Sequence, residues 1–113
     1  MKESERDKLS AKVNAAIKRI AHGYQPDKIV LFGSFARGDF HDDSDVDLLI
    51  IKDTTDSVLR RMDAVLDHCT GDIAVEALIY TPTEFDAMLQ RGSDFLQQAL
   101  ADGRIVYERS KPG

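Results

Sequence analysis

Two carboxylates, Asp45 and Asp47, stand at the entrance to an apolar run that ends at Ile51. On an extended segment, residues two apart point to the same face, so both carboxylates converge on one point. Like charges that close repel, and each is costly to desolvate without a partner. A divalent cation relieves both problems. Mg²⁺ suits the case, because it takes one or two carboxylates, keeps several waters and accepts phosphate oxygens. An Asp-x-Asp pair alone is a weak signal and most often a solvated turn. Here Leu48, Leu49, Ile50 and Ile51 follow at once, which sets the charges against a buried segment.

Ten residues separate Gly33-Ser34 from Asp45, and the pair follows another apolar run, KIVLF. Glycine permits a sharp turn and close approach of a ligand to the backbone. If Ser34 to Arg37 forms one helical turn, its amides face whatever lies in front, as at other anion sites. Ser34 adds a hydroxyl. Glu76 is the one charged residue in IAVEALIY. On a strand it shares a face with Ala74, Leu78 and Tyr80, and beside residues 46–51 it would reach the two aspartates. The alternative is an edge-strand charge that blocks aggregation. The chain has neither a Walker-type glycine loop nor a dinucleotide-binding fingerprint, which excludes those nucleotide-binding modes.

The elements that must position these residues are legible from periodicity. Leu9, Val13, Ala16, Ile17 and Ile20 make one stripe of a helix over 4–22, with Gly23 as its stop and Pro26 beyond. Residues 28–32 suit a strand, 33–38 a turn, and 39–44 a polar loop. Residues 46–51 read as a strand covered on both faces. Thr54, Thr55 and Asp56 offer caps for a helix over 56–69, with Val58, Leu59, Met62, Val65, Leu66 and Cys69 as its stripe and Gly71 as its end. Residues 73–80 form a third strand. Thr81 or Thr83 caps the next helix, with Pro82 in its first turn. The helical pattern continues past Gly92 to about Asp102, and RIVYE makes a last strand. The tail from about 109 to 113 is expected to fray. The loop between the first two strands is too short for a helical crossover, so they should pair antiparallel. The expected fold is one α/β (α+β) domain over 1–113, a small mixed sheet flanked by helices.

Composition narrows the function classes. The 113 residues suffice for one core. Hydrophobic content of 42% and charged content of 31% are ordinary for a soluble protein. No apolar run is long enough for a membrane span. The charged start, MKESERDKLSAKV, is unlike a signal peptide, and the single cysteine, Cys69, excludes an internal disulfide. A cytoplasmic setting is the expectation. The net charge of −5 argues against direct nucleic-acid binding and permits a basic protein partner.

The stretch GSFARGDFHDDSDVDLLI resembles the signature of the DNA polymerase beta-like nucleotidyltransferases, and more narrowly that of the minimal nucleotidyltransferases. VEALIYTPTEF resembles their third strand and following helix. The resemblance implies that Gly33 and Ser34 hold a nucleotide's phosphates and that Asp45 and Asp47 bind Mg²⁺, one ion or two. Glu76 falls where the family usually has aspartate, and its carboxylate is one methylene further out. Arg37 is placed to contact phosphate or to make a structural ion pair. The family also implies ATP as substrate. It implies a helical HEPN-family toxin as partner, which the nucleotidyltransferase silences, as antitoxin, by transferring AMP to a tyrosine. Two other readings stay open: a non-catalytic binding antitoxin on the same fold, and a homodimeric enzyme acting on a small molecule.

The remaining polar residues read as structural. His41, in the loop before Asp45, could touch substrate or face solvent. His22 suits a helix C-terminus. Cys69, Tyr80 and Tyr107 read as packing residues. Lys18, Arg19, Arg60 and Arg61 read as solvated helix faces.

Overall fold

The computed structural model describes residues 2–109. Of the tail expected to fray, Arg109 alone falls among these, its backbone N–H donating to the Asp27 carbonyl (2.9 Å), and 110–113 lie outside the described residues. The element order is α1 (Glu3–Tyr24), β1 (Lys28–Phe32), α2 (Ser34–Arg37), β2 (Val46–Ile51), α3 (Val58–Leu66), β3 (Val75–Tyr80), α4 (Pro82–Gln90), α5 (Asp94–Asp102) and β4 (Arg104–Glu108).

The strands form one mixed sheet in the order β3-β2-β1-β4. β1 pairs antiparallel with β2 and with β4, whereas β2 and β3 are parallel. Antiparallel pairing of β1 and β2 follows from their short connection, and the parallel pair is joined through α3, as a crossover requires. β2 is central and buried on both faces, which explains its aliphatic run from Leu48 to Ile51. Leu48 and Ile50 pack with Val13, Ile17 and Ile20 of α1 and Val65 of α3. Leu49 points the other way, toward Leu96 of α5 and Phe85 and Met88 of α4. The sheet is thus sandwiched between two helical layers, as expected of the small mixed α/β fold.

Several boundaries differ from expectation, each for a local reason. α1 passes Gly23 and ends at Tyr24, a buried residue, with Gln25 in the left-handed conformation. The loop expected to be polar throughout buries Phe40, which stacks on Phe35 (centroids 4.4 Å apart) beneath the Arg6 guanidinium. α3 is shorter than 56–69, because Ser57 caps it by accepting from the Arg60 N–H. β3 begins at Val75 rather than 73. The helical run after Thr81 is two helices: Gly92 takes a positive φ of 70° and Ser93 caps α5 by accepting from the Leu96 N–H. Thr81 and Glu84 form a capping box with Pro82 in the first turn, as the sequence signals.

The expected apolar stripe of α3 is the largest departure. Val65 alone in the helix is buried as a hydrophobic residue; Val58, Leu59, Met62 and Leu66 are 59%, 73%, 40% and 49% exposed. β3 is an edge strand, so among the described residues no further element of the sheet covers the outer flank of α3.

Arg61, expected on a solvated face, is buried instead. Its guanidinium donates to both oxygens of Glu84 (2.7 and 3.3 Å) and to the carbonyls of Asp56 and Ile79, tying α3 to α4 across the end of β3. The ion pair holds the Glu84 carboxyl below its usual range, helped by the Thr81 N–H. The stabilisation it gives is therefore present above the ordinary glutamate range and is lost as pH falls through the lowered value. Glutamine keeps the capping box but leaves Arg61 buried without its counter-charge. Glu84→Gln is expected to cost about 1.5–3 kcal/mol in urea unfolding at neutral pH. That deficit should shrink on acidification.

Candidate functional site

The C-terminal end of β1, the N-terminal ends of β2 and β3, and α5 enclose a cleft of 390 Å³ lined by Gly33, Ser34, Arg37, Asp45, Asp47 and Glu76. All six residues singled out in the sequence therefore meet at one place. The pairings explain how. Phe32 pairs with Asp47 across the antiparallel ladder, so Gly33 emerges directly beside that carboxylate. Asp47 pairs in register with Glu76 across the parallel ladder. Asp45 sits one residue before β2 and is exposed at the mouth, whereas Asp47 is half-buried and Glu76 exposed.

Gly33 has φ 74° and ψ −156°, a region that only glycine occupies readily. A Cβ at this position would collide with the Asp47 carboxylate. Its carbonyl accepts from the N–H groups of Ala36 and Arg37 (3.1 and 3.0 Å), which starts the single turn of α2. Gly38 then closes the turn by donating to the Ser34 carbonyl (2.8 Å), and Arg6 of α1 holds the Gly38 carbonyl (2.9 Å). The turn is thus closed by its own backbone and tied to α1 through Arg6.

The electrostatics are one-sided. Four carboxylates (Asp45, Asp47, Glu76 and Asp102) and one guanidinium (Arg37) line the cleft. Burial raises the Asp47 pKa above the usual carboxylate value, and the neighbouring Glu76 and Asp45 raise it further; Arg37 opposes them. Arg37 is itself engaged by Asp39 (3.2 Å) and by Asp102 (3.7 Å). A polyphosphate would meet net repulsion here unless it arrived with cations. As the side chains stand, among the described residues no three of His, Cys, Asp and Glu are grouped to hold a metal ion. The donor set nevertheless fits Mg²⁺: hard oxygens, two of them on adjacent register-paired strands, with excess negative charge that a dication would offset.

Sequence reasoning missed the wall made by α5, which contributes Phe95, Gln98, Ala99 and Asp102, together with Phe32. The four α5 positions are far from Gly33 in the chain, and no local spacing links them to it, whereas Phe32 directly precedes it. The one available signal was Phe95, an aromatic next to the helix start. His41 is exposed and takes part in its own turn, accepting at Nδ1 from the Asp43 N–H. His22 lies in the last turn of α1 as expected, and Cys69 packs against the core. No helix among the described residues is long and apolar enough to cross a membrane.

Comparison with known proteins bears on the family and the fold. Residues 15–112 match the family described as polymerase beta, nucleotidyltransferase. The chain is 33% identical over 85 residues to a Methanocaldococcus jannaschii protein named as a candidate protein adenylyltransferase, covering 71% of this chain and 77% of that one. Among solved structures, a candidate nucleotidyltransferase from Sulfolobus solfataricus superposes with a TM-score of 0.64 at 22% identity, covering 96% of this chain and 87% of that one. A toxin–antitoxin structure with AMP-PNP superposes with a TM-score of 0.59 at 21% identity, covering 86% and 74%. At these identities the two structures establish the shared fold.

Proposed function

The chain belongs to the polymerase beta nucleotidyltransferase family, and on that premise we propose that it transfers AMP from ATP to a hydroxyl of a partner protein. The acceptor in this reading is a tyrosine of a HEPN-family toxin, which the chain thereby silences. The observation that carries the proposal is the register pairing of Asp47 with Glu76 at the mouth of a cleft floored by Gly33 and Ser34. The name of the M. jannaschii relative and the AMP-PNP in the toxin–antitoxin neighbour support it.

In this mechanism Gly33, Ser34 and Arg37 hold the phosphate tail. Asp45, Asp47 and Glu76 would hold Mg²⁺, one ion or two, which supplies neutralisation of the phosphate charge and a more acidic acceptor hydroxyl. Glu76, outermost on the edge strand, accepts the proton from that hydroxyl. The acceptor oxygen bonds to the α-phosphorus in line with the departing bridge oxygen, and pyrophosphate leaves with the electron pair. Most of the acceleration comes from positioning and charge, for which a rigid strand pair is well suited.

A second reading, a binding antitoxin that silences by covering its partner, is favoured by the exposed apolar flank of α3. One experiment separates the readings. The chain and its co-purifying partner are incubated with Mg²⁺ and ATP labelled at either the α- or the γ-phosphate. The expected result is label on the partner from α-labelled ATP alone, reduced about a hundredfold or more by Glu76→Gln. No protein-bound label, with the partner silenced equally by both chains, would leave only the binding function. Label on a small acceptor with no partner present would point to the homodimeric small-molecule enzyme.

A further inference from the structure

The α5 wall of the cleft takes no part in the chemistry just described, yet it is built. Phe95, Gln98, Ala99 and Asp102 recur at steps of three and four and so share one face of the helix, turned to the cleft. Phe95 meets Phe32 edge to face, with centroids 5.8 Å apart and planes at 85°, and is nonetheless 43% exposed. Phe32 immediately precedes Gly33, so the aromatic pair adjoins the Gly-Ser turn. The Gln98 Nε2 donates to Asp102 Oδ2 (2.8 Å). A carboxylate only accepts, so in this bond the amide turns its NH₂ to Asp102 and its carbonyl Oε1 is left to accept from a ligand. Asp102 is held in turn by Arg37 (3.7 Å).

We propose that this wall is the nucleobase subsite, with Phe95 as the stacking platform and Gln98 Oε1 as the acceptor for the exocyclic amino group of adenine. The inference rests on the nucleotidyltransferase reading of the same cleft. Topology decides which ring the platform serves. Glu76 lies on edge strand β3, so the acceptor hydroxyl enters there; α5 packs against β1, two strands away. The aromatic pair is therefore on the side of the cleft away from the acceptor, where the nucleotide's own base extends. Stacking on an aromatic face tolerates any base, and discrimination falls to Gln98. Guanine presents a carbonyl where adenine presents its amino group, which would set two acceptors against each other.

The test is calorimetric binding of ATP, GTP and inorganic tripolyphosphate, with Mg²⁺ and no acceptor, to the native chain, Phe95→Ala, Phe95→Tyr and Gln98→Leu. Phe95→Ala is expected to weaken ATP about tenfold and to leave tripolyphosphate unchanged. Phe95→Tyr, which keeps the ring, should restore ATP binding, and Gln98→Leu should narrow the preference for ATP over GTP. Equal losses for ATP and tripolyphosphate in Phe95→Ala, or no loss of ATP, would overturn the subsite while leaving the phosphate site intact. A native chain that binds neither ATP nor tripolyphosphate would overturn the nucleotidyltransferase reading itself, and the subsite with it.

Discussion

Asp47→Asn is expected to lower label transfer by about 10²- to 10³-fold while leaving the metal-free protein more stable than the native chain. Both halves follow from the same surroundings. The Asp47 carboxylate is half-buried, sits in register with Glu76 and lies near Asp45, so its charged form is disfavoured and its pKa is raised. A carboxyl with a raised folded-state pKa contributes stability below its unfolded value and loses it as pH rises through the raised one. At neutral pH the native chain has lost that contribution. Asparagine keeps the shape without the charge and escapes the loss. Thermal melts should therefore show the variant above the native chain at pH 7 to 8, with the gap closing as pH falls and Asp47 takes up its proton. Added Mg²⁺ should raise the native melting temperature and leave the variant nearly unmoved. Equal melts at all pH values would mean that the carboxylate is not under strain, and full activity in the variant would remove it from the site.

The same trade between function and stability explains which parts of this molecule can be read from its residues. The placement of Asp47 was legible because a charge directly ahead of four aliphatic residues contradicts the pattern around it, and such contradictions mark sites. The antiparallel pairing of β1 and β2 was legible because connection length alone forbids the alternative. Glu76 was placed only conditionally: its meaning depended on β3 lying beside β2, which no spacing within the chain dictates. Arg61 was misread because helical periodicity describes one face of one helix, whereas its partner, Glu84, belongs to a helix reached through an intervening strand. The α3 stripe was misread for the complementary reason. Apolar spacing announces that a face can be covered, and only the sheet order reveals that Leu59 and Met62 flank an open edge. Local chemistry and short connections are written in the sequence; contacts between distant elements arise from packing.

Gly33→Ala should be the most damaging single methyl group in the cleft. Two independent costs act at this position. Alanine must adopt φ 74° and ψ −156°, which costs about 1–3 kcal/mol, and its Cβ must displace the Asp47 carboxylate that lies against the glycine. For a domain of this size the first cost alone should lower the melting temperature by at least about 5 °C. The two costs are separable in a double-mutant cycle with Asp47→Ala. Removing the carboxylate relieves the collision and leaves the backbone strain, so the double variant should be more stable than the sum of the single effects predicts, by about 1 kcal/mol or more. Additive effects would show that Asp47 does not rest on Gly33. Activity discriminates further. A folded Gly33→Ala protein that kept its transfer activity at low temperature would show that the methyl disturbs neither Asp47 nor the bound phosphates. With Asp47 pushed from its place by even about 1 Å, transfer should fall about a hundredfold in the fully folded variant. The glycine of the Gly-Ser turn would then serve the carboxylate directly: its missing side chain is the space in which Asp47 is held between two strands and aimed at the cleft.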